Sequence, residues 1–323
     1  MKQLAFERMR RQSWEQFAAD LERLETGSGA GHGGDGDFVE AYREVCRDLA
    51  VARTRGYGSC LLTELNDLVN RGHNLLYARR SGTFARAVAF VAAGFPRQVR
   101  RDAAFVWAAC CAFVLPLVLI IVAIDVEPDV LYSVLDEPQV RQMEAMYQPD
   151  AERPGRARAS DSDFAMFGFY IWNNVSIGFQ VFATGLALGI GSLFYLGYNG
   201  IVIGAVAGHL VGIGYGDVFL PFVAGHGAFE LTAIVLSGAA GLKIGYALLA
   251  PGELSRGAAL RHAAAEAVTL VIGATGMLFV AAFIEAYWSS TRWPPAFLKY
   301  LVGAGLWLLV LGYLTLAGRR RAA

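Results

Sequence analysis

The chain passes through two hydrophobic regimes. Up to about residue 101 apolar positions recur at helical spacing among charged ones; from Ala103 onward they run together in blocks long enough to fill a bilayer. In the first regime Trp14, Phe17, Leu21 and Leu24 form one stripe of an amphipathic helix spanning 1–26. The glycine-rich stretch 27–37 reads as a flexible linker in which His32 is solvated. Phe38, Tyr42, Val45, Leu49 and Ala52 then predict a second helix, Gly56 and Gly58 a turn, and Leu61, Leu65, Leu68, Gly72 and Leu75 a third, packed as an antiparallel hairpin. A fourth stretch, Thr83 to Phe95, carries Phe84, Val88 and Val91 on one face and leads into Pro96, Arg97, Arg100 and Arg101. It either lies in the headgroup layer or completes the helical bundle. Residues 38–101 are thus a cytoplasmic hairpin plus a juxtamembrane helix, followed by a transmembrane domain over 102–318.

Six spans are predicted in that domain: 103–124, 174–196, 197–211, 218–249, 263–288 and 296–317. The third is short enough to be re-entrant. Arginine and lysine near the span ends place both termini in the cytoplasm: Arg97, Arg100 and Arg101 before the first span, Lys243, Arg256 and Arg261 around the fourth connection, and Arg319, Arg320 and Arg321 after the last. The connection 125–167 then faces outward. It is acidic and proline-bearing, with a short surface helix over Leu131 to Met146, and reads as a solvated connector or a partner surface.

Composition fixes the class as all-α and polytopic. Hydrophobic residues make up 55% of the 323 and charged ones 17%, with 28 Lys and Arg against 28 Asp and Glu, and a mean hydropathy of +0.40 is too apolar for an ordinary soluble domain. The interspersed charges of the front region form no basic patch, which excludes nucleic acid as a partner. The first residues lack the apolar core and cleavage site of a secretory signal. Cys46, Cys60, Cys110 and Cys111 show neither metal-ligand spacing nor a disulfide framework.

Small residues recur every fourth position at Gly200, Gly204, Gly208 and Gly212, at Gly185 and Gly189, and at Ser237, Gly241 and Gly245. Such ridges bring helices into close contact in lipid, and predict a compact bundle or a homodimer through one ridge.

Polar residues inside the spans carry the candidate chemistry. Asn173, Ser176, Gln180 and Thr184 form one stripe, with Asn174 beside it; His226 and Glu230, four apart, share a face about 12 and 18 Å inside their helix. Glu285 and His209 lie near the same end of their spans, so the polar groups converge on the outer half. Ionisable side chains at such depth are functional by default. Three readings stand side by side: a buried network fixing helix register; a zinc or iron site on His226, Glu230 and Glu285 able to activate water in an intramembrane hydrolase; and an ion or proton path in a transporter, with helices broken at Gly212 to Gly216 and at Asn199-Gly200. The chain carries no Ser-His-Asp order, phosphate loop or dinucleotide fingerprint.

The runs IWNNVSIGF, YNGIVIGAVAGHL, GHGAFELTAIVLSGAAGLKIG and FIEAYWSS closely resemble the stage II sporulation protein M family (DUF95) of integral membrane proteins. The signature is His226 to Leu231 followed by Ala239-Ala240-Gly241-Leu242, and the resemblance covers roughly Phe164 to Gly318. It implies a non-enzymatic bacterial plasma-membrane scaffold for peptidoglycan-remodelling partners. Longer members that share a soluble front resemble those encoded beside MoxR-type ATPases and von Willebrand A domain proteins, which implies partners of that kind. The internal polar network would then be structural, and no cofactor would be required.

Overall fold

The computed structural model describes residues 3–25, 35–150, 154–155 and 163–319, with the side chains of 35–37 and 75–83 outside the description. Most of the expected linker 27–37, with His32, falls outside it, as do Arg320 and Arg321; Asp35 to Asp37 already belong to a helix. The described chain is helical throughout and divides into two compact units, residues 1–89 and 90–323.

The first unit has three helices, α1 (Gln3–Glu25), α2 (Asp35–Thr54) and α3 (Ser59–Ala89). The amphipathic stripe of α1 is not a separate module: Phe6, Trp14, Phe17 and Leu21 share one core with Val45, Leu49 and Ala52 of α2 and Leu61, Leu65 and Leu68 of α3. The expected hairpin is therefore a three-helix bundle. Its buried polar anchor is Asp48, which accepts from Trp14 Nε1 and Arg10 Nε, each at 2.8 Å. Arg10 also reaches Glu44 at 2.8 Å and Arg71 reaches Glu25 at 2.8 Å. The expected third and fourth stretches are continuous in α3, which passes into a π turn at Phe90–Gly94.

The second unit begins with α4 (Phe95–Arg101), which buries Phe95, Pro96 and Val99. Its basic residues bond within the bundle. Arg100 donates to the carbonyls of Leu314 and Ala317 and Arg97 to that of Gly318, satisfying orphan acceptors at the end of the last helix, while Arg101 pairs with Glu266. Then come α5 (Ala103–Val126), a 3₁₀ turn (Pro128–Ser133), α6 (Glu137–Tyr147), α7 (Asp163–Ala183), α8 (Ile190–Gly212), α9 (Gly216–Leu249), α10 (Arg256–Ile284) and α11 (Ala296–Leu316). Among the described residues α5, α8, α9, α10 (through Ser289) and α11 are long and apolar enough to cross a membrane. The 21-residue α7 is less apolar because Asn173, Asn174 and Gln180 interrupt it, and it packs on α9 and α10.

The boundary between the expected second and third spans is corrected. The break falls at Thr184–Gly189, not near residue 196, so the third span is the 23-residue α8 and not a short re-entrant piece. Leu188 and Gly189 take positive φ values of 55° and 83°, and the turn nests against Gly241 and Gly245 of α9: a Cβ on Gly185 would strike the Gly241 backbone, one on Gly245 the Gly189 backbone, and one on Gly241 the Ser192 hydroxyl. Asn199-Gly200, expected as a helix break, lies inside continuous α8. Gly200, Gly204 and Gly208 pack against the backbone of α5 within the same chain, whereas Gly212 has open space around its Cβ position.

The connection after α5 is not a free loop. Leu131, Val140 and Met143 are buried with Ile124, Ala205, Leu210 and Phe219, and Tyr147 stacks edge-on against Phe219 and Phe222 with centroids 5.1 and 5.4 Å apart. A capping box of Asp136 and Gln139 starts α6 and sets its direction across that end of the bundle. At the opposite end Lys243 of α9 lies 2.6 Å from both Asp102, at the start of α5, and Glu266 of α10.

Candidate functional site

Helix α9 supplies the centre of the site. Its residues 225 to 228 are all buried, because Gly225 leaves no side chain between α9 and α10: a Cβ there would lie 3.1 Å from Trp288 and 3.2 Å from Ser289 Oγ. His226 is 5% exposed, and one turn further on Glu230 brings a carboxylate oxygen to 3.6 Å from its Nε2. Across the gap α10 widens into a π turn over Glu285–Ser289, an irregularity that concentrates at functional sites. The turn places Ser289 Oγ 3.0 Å from His226 Nδ1. Lys299 of α11 fixes the turn from behind, donating to the carbonyls of Ser289 at 2.8 Å and Thr291 at 2.6 Å.

Ligating atoms of His226, Glu230 and Glu285 all lie within 4.8 Å of one another. Asn174 of α7 sits beside Glu285 and is 3% exposed. Its Oδ1 accepts from Asn173 at 3.1 Å, while its buried Nδ2 lies beside the Glu285 carboxylate, outside the distance of a well-formed hydrogen bond. These groups line a cavity of about 260 Å³ that Met146 and Tyr147 of α6 also border. The Tyr147 hydroxyl faces Glu285 and Glu230, and burial holds the phenol protonated well above its usual range.

The structure therefore gathers Asn173, Asn174, His226, Glu230 and Glu285, and leaves two expected members elsewhere. Gln180 is exposed, as is Ser176, because the inward face of α7 is that of Tyr170, Asn174, Gly178 and Val181. The polar stripe expected over Asn173, Ser176, Gln180 and Thr184 is thus mostly the outward face. His209 stands apart from the cluster and meets Glu144 of α6 at 2.8 Å. Sequence reasoning missed Ser289 and Tyr147. The serine had a visible signal, four residues after Glu285; the tyrosine lay in a segment read as a connector.

The family model described as Stage II sporulation protein M matches residues 103–290, taking in α5 through the π turn and every residue of the cluster. The chain belongs to the stage II sporulation protein M family. A separate model, a domain of unknown function (DUF8413), matches residues 4–78, which is the three-helix unit. No curated protein and no solved structure matches. The stage II sporulation protein M region and the front unit thus follow the division of the chain at residue 89.

Proposed function

We propose that this member of the family is a multi-pass membrane protein whose bundle holds one zinc or ferrous ion on His226, Glu230 and Glu285. The observation that carries this is the convergence of three ligating atoms within 4.8 Å on a polar cavity lined mostly by spanning helices. Two ligands about 2.1 Å from a tetrahedral ion stand about 3.4 Å apart. The 3.6 Å between His226 and Glu230 already suits this, and rotation of the Glu285 side chain closes the rest. Ser289 Oγ lies 3.0 Å from His226 Nδ1 and, with that nitrogen protonated, would accept from it and leave Nε2 for the metal. Two carboxylates balance the ion's charge, so the buried site is neutral. A fourth position opens on the cavity, where the ion would polarise a ligand oxygen or lower the pKa of water. Asn174 Nδ2 and the Tyr147 hydroxyl stand ready to donate to such an oxygen.

The transporter reading loses one of its helix breaks, since α8 runs unbroken through Asn199-Gly200. A scaffolding role draws support from a different feature, the three-helix unit with its own core, and the two roles are compatible: the front unit engages envelope partners while the bundle, in a bacterial plasma membrane with both termini cytoplasmic, carries the site.

The metal reading is tested by elemental mass spectrometry on detergent-purified protein loaded with equimolar zinc and ferrous iron. About one ion per wild-type chain, lost in both His226→Ala and Glu230→Gln, is the expected result. A folded wild type that retains no transition metal after loading overturns it.

A further inference from the structure

Two apolar hollows continue from the polar cavity along the bundle. The first, about 370 Å³, shares Ile203, Phe219, Val223, Gly227 and Leu231 with the cavity wall and runs between α8, α9 and α11 past Tyr300 to Trp307. The second, about 480 Å³, shares Leu117, Leu231 and Trp307 with the first and continues between α5, α9 and α11 to Leu314 and Thr315. Through these shared wall residues the two hollows adjoin one another and the cavity of His226 and Glu230, tracing one apolar groove along the bundle. From Tyr300 to Thr315 the groove follows α11 for about 22 Å at 1.5 Å per residue, against about 15 Å for one leaflet of hydrocarbon.

Resting on the metal reading, we propose that the site's ligand is a long single-chain lipid with a monophosphate head. The head belongs in the cavity because it supplies several oxygens to a metal position charge-balanced by Glu230 and Glu285 and bordered by the Asn174 amide and the Tyr147 hydroxyl. One oxygen would face the metal position, and others would accept from Asn174 Nδ2, buried beside Glu285, and from the Tyr147 hydroxyl. A space of about 260 Å³ takes a phosphomonoester, whose unsubstituted head leaves all its outer oxygens free for the ion and the donors. The tail follows the groove, leaving the cavity past Gly227 and Leu231 and running down α11 beyond the bilayer midplane. The length of the strip favours a chain longer than one leaflet, and the two hollows, about 370 and 480 Å³, follow one another along α11 as a path for one tail.

Gly227 is the narrow point between head and tail. A Cβ there meets only Val223 Cγ1, at 3.5 Å, so a larger side chain fits the helix and blocks the passage. The test uses full-length protein in phosphatidylcholine nanodiscs with two photoactivatable probes, hexadecyl phosphate and hexadecyl phosphocholine, each bearing a diazirine in the tail. The phosphate probe is expected to label peptides containing Leu231 and Trp307 at least tenfold more strongly than the phosphocholine probe. Gly227→Leu is expected to reduce that labelling to the phosphocholine level while leaving one metal ion per chain. Ile203→Trp, which obstructs the same passage from α8, serves if Gly227→Leu does not fold. Equal labelling by both probes, or undiminished labelling in a folded blocked variant, overturns the lipid proposal. Loss of metal from the wild type with head-selective labelling intact overturns the metal reading and leaves the lipid site standing.

Discussion

The ionic knot at the end of the bundle away from α6 makes a prediction with a definite order of effects. Lys243 and Asp102 are 8% and 5% exposed, and the ammonium lies 2.6 Å from Asp102 and 2.6 Å from Glu266. The other Asp102 oxygen accepts from Gln98 at 2.7 Å. Glu266 has a second partner in Arg101, but that arginine is 66% exposed at its side chain, and a solvated pair contributes only about 0–1 kcal/mol. Replacing Lys243 by Met therefore strands Asp102 as a buried charge with one neutral donor, a change that costs about 3–5 kcal/mol. Asp102→Asn leaves the ammonium paired with Glu266 and loses one charge-assisted bond, about 1.5–3 kcal/mol. The double variant should be more stable than Lys243→Met alone, since no stranded carboxylate remains. The assay is reversible unfolding in mixed micelles followed by tryptophan fluorescence, analysed as a double-mutant cycle. A Lys243→Met protein within about 0.5 kcal/mol of wild type, or a double variant in which the two losses simply add, would refute the reasoning.

Two further outcomes follow from the packing and charge described above. Gly185→Ala pushes a methyl group into the backbone of Gly241 and should cost about 1–3 kcal/mol, whereas Gly212→Ala meets nothing within 4 Å and should be neutral or gain up to about 1 kcal/mol of helix propensity; the same unfolding assay compares them, and equal effects would reject the assigned contacts. In the front unit the Arg10 hydrogen bond holds Glu44 below its ordinary value of 4.5, and the Arg71 hydrogen bond does the same for Glu25. Because the folded pKa values are the lower ones, their contribution is complete above pH 4.5 and disappears as pH falls through the folded values. Hydrogen exchange of α1 and α2, corrected for intrinsic rates, should show protection falling across that acidic window in wild type and less steeply in Glu44→Gln; identical slopes would remove the Arg10 pair from the account.

Legibility in the sequence tracked the range of the interaction. The uninterrupted block of α5 and the stripe of Trp14, Phe17 and Leu21 are local patterns, and both became helices. What α1 packs against is set by α2 and α3, and no periodicity within α1 encodes it. The break at Thr184–Gly189 was missed because its residues are as apolar as the spans on either side. It exists because Gly241 and Gly245 on α9 accept the turn, and they hold Leu188 at a φ that leucine rarely adopts. The site divides in the same way. His226 and Glu230 share a face by spacing alone, and Glu285 joined them as expected at the level of span ends. That Asn174 and not Gln180 turns inward depends on the rotation of α7 against α9 and α10. The roles of Tyr147 and Ser289 depend on the docking of α6 and on the π turn.

The contacts of α4 with the end of α11 carry a consequence for biosynthesis. Arg97 and Arg100 donate to carbonyls more than two hundred residues later in the chain, and Tyr313 returns a bond to Val91. As the polypeptide enters the membrane from its N-terminal side, α4 emerges long before the carbonyls it caps, and α5 to α10 must be made before they arrive. Until then its arginines can be satisfied only by water and lipid headgroups. Closing this seam is the step that joins the earliest membrane-proximal segment to the last helix, so a protease acting near Arg97 would report whether insertion had been completed.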